Sequence, residues 1–112
     1  MNDKVFLVTT DSIGQGSREL GGKLAGNFIR LLAQGPNMPK AIFFLNRGVY
    51  LACAGSEALG HLKVLQERGV EILCCQTCVD YYSLQQEVQV GLVVGMAELL
   101  VLTQEHQVIT IA

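Results

Sequence analysis

Ala41-Ile42-Phe43-Phe44-Leu45 is an uninterrupted apolar run of strand length. A strand facing water on one side would alternate apolar and polar residues. A continuous run is the mark of a strand covered on both faces, as in parallel sheets. Val5-Phe6-Leu7-Val8-Thr9, Val70-Glu71-Ile72-Leu73-Cys74 and Val108-Ile109-Thr110-Ile111 are three further short β-rich segments. Segments of helical spacing lie between them, and that alternation implies right-handed βαβ crossovers and a mostly parallel sheet with helices on both sides.

Ser17 is placed to cap a first helix whose apolar positions, Leu20, Leu24, Phe28, Leu31 and Leu32, follow a helical period. Gly35, Pro36 and Pro39 end it. Asn46-Arg47-Gly48 breaks the second strand, and Val49 to Ala52 is ambiguous. Ser56 is the expected cap of a second helix carrying Leu59, Leu62 and Leu65, with Gly69 as its C-terminal cap. A polar stretch runs from Ser83 to Gln89. Val93 to Thr103 then reads as a helix with Met96, Leu99 and Leu100 inward.

With 112 residues and no repeat or internal linker, residues 1–112 are expected to form one domain. Half the residues are hydrophobic and only 16% are charged, so part of the surface is expected to be buried in a homo-oligomer. The net charge of −2 and the lack of a Lys/Arg cluster argue against nucleic acid or an anionic membrane as partner. The opening Met1-Asn2-Asp3-Lys4 and its few apolar followers are too short for an export signal or a membrane span, so the expected compartment is the cytoplasm. Thiols stay reduced there, and a cysteine cluster more often means chemistry than a structural disulfide.

Such a cluster is present: Cys74-Cys75-Gln76-Thr77-Cys78 holds three of the chain's four cysteines at the end of the third strand. A thiol at the carboxyl end of a strand, facing a helix start, lies where open α/β sheets bind ligands and where the reactive thiolate is favoured. Cys75 and Cys78 have the spacing of an attacking and a resolving thiol, or of half a zinc site. Zinc would need two more ligands, and Cys53, His61 and His106 form no second pair, so no metal is expected. A thioredoxin-like reading is weak, because both prolines lie in the loop after the first helix. Cys74 and Cys53 read as core thiols, with Cys74 pointing to the opposite face from Cys75.

Gly14-Gln15-Gly16 follows the first strand, but Glu19 stands where a dinucleotide fingerprint needs its third glycine, and no P-loop is present. A tight turn is the simpler role, although backbone amides there can bind an anion. Gly22-x-x-x-Gly26 permits close packing against the sheet or a partner. Asp80 reads as a helix-start carboxylate or a proton carrier. Tyr50, Tyr81 and Tyr82 can line a pocket beside the cysteines or fill an interface. Gly14, Gly16, Asn46 and Tyr81 are the candidate substrate-binding residues, Cys75 and Cys78 the candidate catalytic ones. No cofactor is expected.

The chain resembles the DsrE/DsrF-like (YchN-like) sulfur-relay family and, within it, the YedF-type sulfurtransferase-like selenium-metabolism proteins. The resemblance lies in Asp11-Ser12-Ile13-Gly14-Gln15-Gly16 with Glu19-Leu20-Gly21, and in Phe44-Leu45-Asn46-Arg47-Gly48-Val49. It continues through Gly55-Ser56-Glu57, Leu65 to Ile72, and above all Cys75-Gln76-Thr77-Cys78-Val79-Asp80-Tyr81-Tyr82. It implies a three-layer α/β/α sandwich with a mainly parallel, five-stranded sheet, often assembled into oligomers. It also implies a persulfide on Cys75, with Cys78 matching the second cysteine of the YedF-type motif. The implied function is a sulfur or selenium carrier, a possible sulfurtransferase. Its partners would be donor and acceptor persulfide proteins, TusA-like ones among them. The alternative from a different class is a non-catalytic oligomeric binding or assembly subunit. Three departures stand out. Gln76 replaces the usual Gly, and Gly95 replaces an Asn before Met96. The N-terminal TusA-like domain with its Cys-Pro-x-Pro motif is missing, so the chain is either a stand-alone carrier or a piece of a longer protein.

Overall fold

The computed structural model describes residues 3–112; Met1 and Asn2, the start of the opening judged too short for an export signal, lie outside them. The strands are β1 (Lys4–Val8), β2 (Ala41–Phe44), β3 (Glu71–Cys75), β4 (Leu92–Val94) and β5 (Gln107–Ile111). The helices are α1 (Arg18–Gln34), α2 (Leu59–Glu67), α3 (Gln76–Tyr81) and α4 (Met96–Glu105), and a 3-10 segment spans Asn46–Ala52. The sheet runs β4-β3-β2-β1-β5 with every neighbouring pair parallel, which is the expected sheet with helices on both faces.

Alternate residues of each strand build two cores. On one face Val8, Ile42, Phe44, Ile72 and Cys74 pack with Ala25 and Ile29 of α1 and with Leu62 and Leu65 of α2. On the other, Val5, Ala41, Phe43, Leu73 and Cys75 pack under Leu99 and Leu102 of α4. Both faces of β2 are fully buried, which is what its apolar run required. Cys74 and Cys75 face opposite cores, and Cys53 is buried, as expected.

Ser17 accepts the Leu20 N–H and caps α1. The helix is turned from the expected register, however. Gly21, Ala25, Ile29 and Ala33 face inward; of the expected positions Phe28 and Leu32 pack partly against the core, while Leu20, Leu24 and Leu31 are 55%, 43% and 58% exposed. Close approach decided the register. A Cβ on Gly21 would sit 2.1 Å from Ser12 Oγ and 2.7 Å from the Ile13 carbonyl oxygen, so only the small face fits there. Ser56 is not the cap of α2: its hydroxyl accepts the Ala58 N–H in the turn before the helix, whose N-cap is Ala58 without a side-chain cap. Gly69, at φ +99°, follows the helix as expected.

The segment read as one helix over Val93–Thr103 divides in two. Leu92–Val94 is an edge strand on β3, and the helix begins only at Met96. Leu99 is inward, but Met96 and Leu100 are exposed and Leu102 takes the second inward place. Gly91, at φ +79°, crosses so close to β3 that a Cβ would lie 2.3 Å from the Ile72 carbonyl oxygen. That approach sets β4 against β3. Asp80 lies in the last turn of α3 rather than at its start, accepting from the side-chain amides of Gln76 and Gln85.

Candidate functional site: a thiol pair beside a left-handed turn

The carboxyl ends of β1, β2 and β3 share one edge of the sheet, and each contributes polar groups. After β1, the Thr10 hydroxyl donates to the Ser12 carbonyl, and the Ser12 hydroxyl donates to the Arg18 carbonyl. This fixes Asp11, whose side chain is 18% exposed, between two guanidiniums. Arg18 donates to Oδ1 at 2.9 Å, and Arg47, from the segment after β2, donates to Oδ1 at 3.3 Å and Oδ2 at 3.2 Å. Burial pushes the Asp11 carboxyl up, but the hydrogen bonds and charges of Arg47 and Arg18 outweigh it and hold its pKa below the ordinary 3.8. Arg47 is raised in turn, chiefly by its bond to Asp11.

A group with a depressed folded-state pKa contributes stability above its unfolded pKa and loses it as pH falls through the folded one. Asp11→Asn is therefore expected to lower the melting temperature at neutral pH by a cost of about 1 kcal/mol. It should also flatten the acid limb below about pH 4. Melting curves of both proteins across that range check it.

Arg47 Cζ lies 4.6 Å from the Tyr50 ring centroid and 5.9 Å from that of Tyr82. Tyr82 packs at 5.2 Å on both Tyr50 and Tyr81. The Tyr82 hydroxyl donates to Asn46 Oδ1, and the Asn46 backbone N–H donates to Cys78 Sγ at 3.0 Å. Cys78 also packs against the core cluster that holds Cys75.

The structure thus brings together four of the expected site residues: Cys75, Cys78, Asn46 and, at the rim, the exposed Tyr81. Gly14 and Gly16 stand apart, exposed in the loop before Ser17, where Gly14 makes a turn at φ +89°. Sequence reading missed Arg47 and Asp11, which meet across 36 residues. The one local sign of Arg47 was its place directly after a strand end. The thiols, after β3, lie two strands from the sheet's topological switch, which falls between β1 and β5.

The two thiols differ in access. Cys75, the last residue of β3 and the N-cap of α3, is 1% exposed; Cys78 is half-buried. The thiol that an incoming reagent meets first in this chain is therefore Cys78. Burial pushes the Cys78 thiol up, the neighbouring Cys75 side chain pushes the same way, and the Asn46 N–H opposes both without reversing them. Cys74, enclosed on the other face, is driven by burial to about 12 and holds its proton. Among the described residues no three His, Cys, Asp or Glu side chains gather to hold a metal ion. A groove of about 560 Å³ between α1 and residues 54–58 touches this network only at Asp11, Arg18 and Tyr50 and does not include the thiols.

No protein-family model matches the sequence, and no curated protein matches it. Solved structures do. The ychN protein from E. coli aligns over 98% of this chain and 99% of its own, with a TM-score of 0.71 at 19% identity. MTH1491 of Methanobacterium thermoautotrophicum, a protein of unknown function, aligns over 96% of each chain with a TM-score of 0.67 at 21% identity. BT1422 of Bacteroides thetaiotaomicron, a conserved protein of unknown function, covers 98% of this chain and 96% of its own, with a TM-score of 0.62 at 14% identity. At such identities the likeness is one of fold, and the fold of this chain is the YchN-type, DsrE-like α/β fold.

Proposed function

We propose that this chain is a carrier of sulfane sulfur, a sulfurtransferase-like protein of the YedF type that works through a persulfide on the Cys75–Cys78 pair. The observation that carries the reading is the half-buried Cys78 sulfur, which accepts the Asn46 N–H at 3.0 Å and packs against the core that holds Cys75. The resemblance assigns the carried sulfur to Cys75. Its burial moves first contact to Cys78, with Cys75 behind it as the resolving thiol.

In the loading step the Cys78 thiolate attacks the outer sulfur of a donor persulfide R–S–SH. The donor S–S bond breaks, its electron pair leaves on R–S⁻, and that thiolate takes the proton Cys78 gave up. Cys78–S–SH results. In unloading, an acceptor thiolate attacks the outer sulfur and the electron pair returns to Cys78 Sγ. Donor and acceptor are persulfide-carrying proteins in a reducing cytoplasm, TusA-like ones among the candidates, and selenium can follow the same route.

Intact mass after incubation with a persulfide donor tests this. Wild type should gain one sulfur atom and Cys78→Ser should gain none. Equal gain by Cys78→Ser and wild type would sink the role of Cys78, and a wild type that neither gains sulfur nor ends two hydrogens lighter through release of sulfide would sink the carrier. A second reading, a non-catalytic assembly subunit, is favoured by the enclosed Cys75 and by the exposed Leu20, Leu24, Leu31, Met96 and Leu100. It requires both thiols to resist alkylation in the native protein.

A further inference from the structure

Asn46 is one of two non-glycine residues in the left-handed region among the described residues, at φ +52°. Asparagine tolerates that region better than most residues, at a cost that the surroundings must offset. The surroundings here are specific. Leu45 N–H donates to the Val8 carbonyl at 2.9 Å, and Gly48 N–H donates to the Leu45 carbonyl at 2.9 Å, so the turn is tied on both sides. The Asn46 side chain is held by the Tyr82 hydroxyl, and Tyr82 is packed against Tyr50 and Tyr81. The result of all this bracing is that one backbone N–H points at one sulfur.

We infer that the left-handed turn at Asn46 is an anion hole for sulfur: its N–H stabilises negative charge on Cys78 Sγ. The inference rests on the carrier reading for what that charge is used for. When an acceptor takes the outer sulfur from Cys78–S–SH, the S–S electron pair lands on Sγ, and the N–H already in place stabilises the leaving thiolate. A donor fixed where charge develops needs no reorganisation as the bond breaks. The opposing effect of Asn46 on the otherwise raised Cys78 thiol agrees in sign. Tyr82 acts through Asn46 and is a positioning residue.

The test follows iodoacetamide alkylation of Cys78 against pH, resolved by fragment-ion mass spectrometry, with no sulfur donor present. Asn46→Val places a β-branched residue where φ is positive, so the turn must shift and the N–H leave the sulfur. Its alkylation midpoint should rise by about one pH unit. Asn46→Ala, less strained, should move the same way by less and gives the reading if the valine variant does not fold. Asn46→Gly keeps the left-handed turn but loses the side chain that Tyr82 holds, so it and Tyr82→Phe should raise the midpoint alike, both by less than Asn46→Val does. A folded Asn46→Ala or Asn46→Val with the wild-type midpoint overturns the inference, as does Asn46→Gly shifting as far as Asn46→Val. Failure of wild type to take up sulfur, with the midpoints shifting as expected, would count against the carrier and leave the anion hole standing.

Discussion

Gly48→Ala is expected to destabilise the fold by about 3 kcal/mol or more, the largest stability effect of any single methyl added near the site. A Cβ at this buried position would lie 2.2 Å from the Val8 carbonyl oxygen, 3.0 Å from its carbon and 3.3 Å from the Thr10 nitrogen. All three are backbone atoms, and the Val8 carbonyl already accepts the Leu45 N–H. No rotamer change relieves such a clash. Either β1 and the 3-10 segment separate, losing that hydrogen bond, or the segment re-forms elsewhere and takes Asn46 and Arg47 with it. Urea unfolding should show a much lower midpoint. Gly60→Ala is the matched control: it lies on the exposed side of α2 with nothing within 4 Å of the added atom, and it should gain up to about 1 kcal/mol from reduced chain entropy. Equal, small effects at both positions would mean that the β1 approach is looser than the structure has it.

The contrast shows where sequence reading works. The strands were legible because a sheet covered on both faces leaves continuous apolar runs, and Phe43 and Phe44 are both wholly buried on opposite faces. Helix α1 was legible as a helix but not in its facing. Hydropathy selects Leu20, Leu24 and Leu31, whereas contact with the Ser12–Ile13 backbone selects Gly21 and the small residues in line with it. Periodicity finds the apolar stripe and knows nothing of the distance at which the stripe must pack. The same limit hid β4. Three apolar residues before a helix look like its first turn, and only the approach of Gly91 to Ile72 distinguishes them as a strand.

The site divides in the same way. Cys75 and Cys78 are neighbours in sequence, and their spacing announced a pair. The group that tunes the pair comes from another strand end: Asn46 is 32 residues from Cys78, and Tyr82, just past the pair in sequence, reaches back 36 to hold it. No local pattern encodes that meeting, because parallel order places successive strand ends side by side only after the crossovers have formed. Access was equally out of reach. Whether the last residue of a strand is open or enclosed depends on what covers the sheet there, and for Cys75 that is the layer holding Leu99 and Leu102.

Enclosure of Cys75 carries the second large prediction: Cys75→Ser should trap sulfur that wild type lets go. In loaded wild type the Cys75 thiolate can attack the inner sulfur of Cys78–S–SH. The bond to the outer sulfur breaks, hydrosulfide leaves with the electron pair, and Cys75 and Cys78 are joined as a disulfide. Cys78 packs against the core that holds Cys75, so the attack is intramolecular and needs no diffusion. With no acceptor present, loaded wild type should release sulfide and end two hydrogens lighter than the reduced protein. Serine at Cys75 keeps the size of the buried side chain but cannot take this step. Cys75→Ser should therefore hold its added sulfur at least about tenfold longer, with no disulfide in its mass spectrum. Equal sulfide release from the two proteins would remove Cys75 from the chemistry and leave Cys78 as a lone carrier.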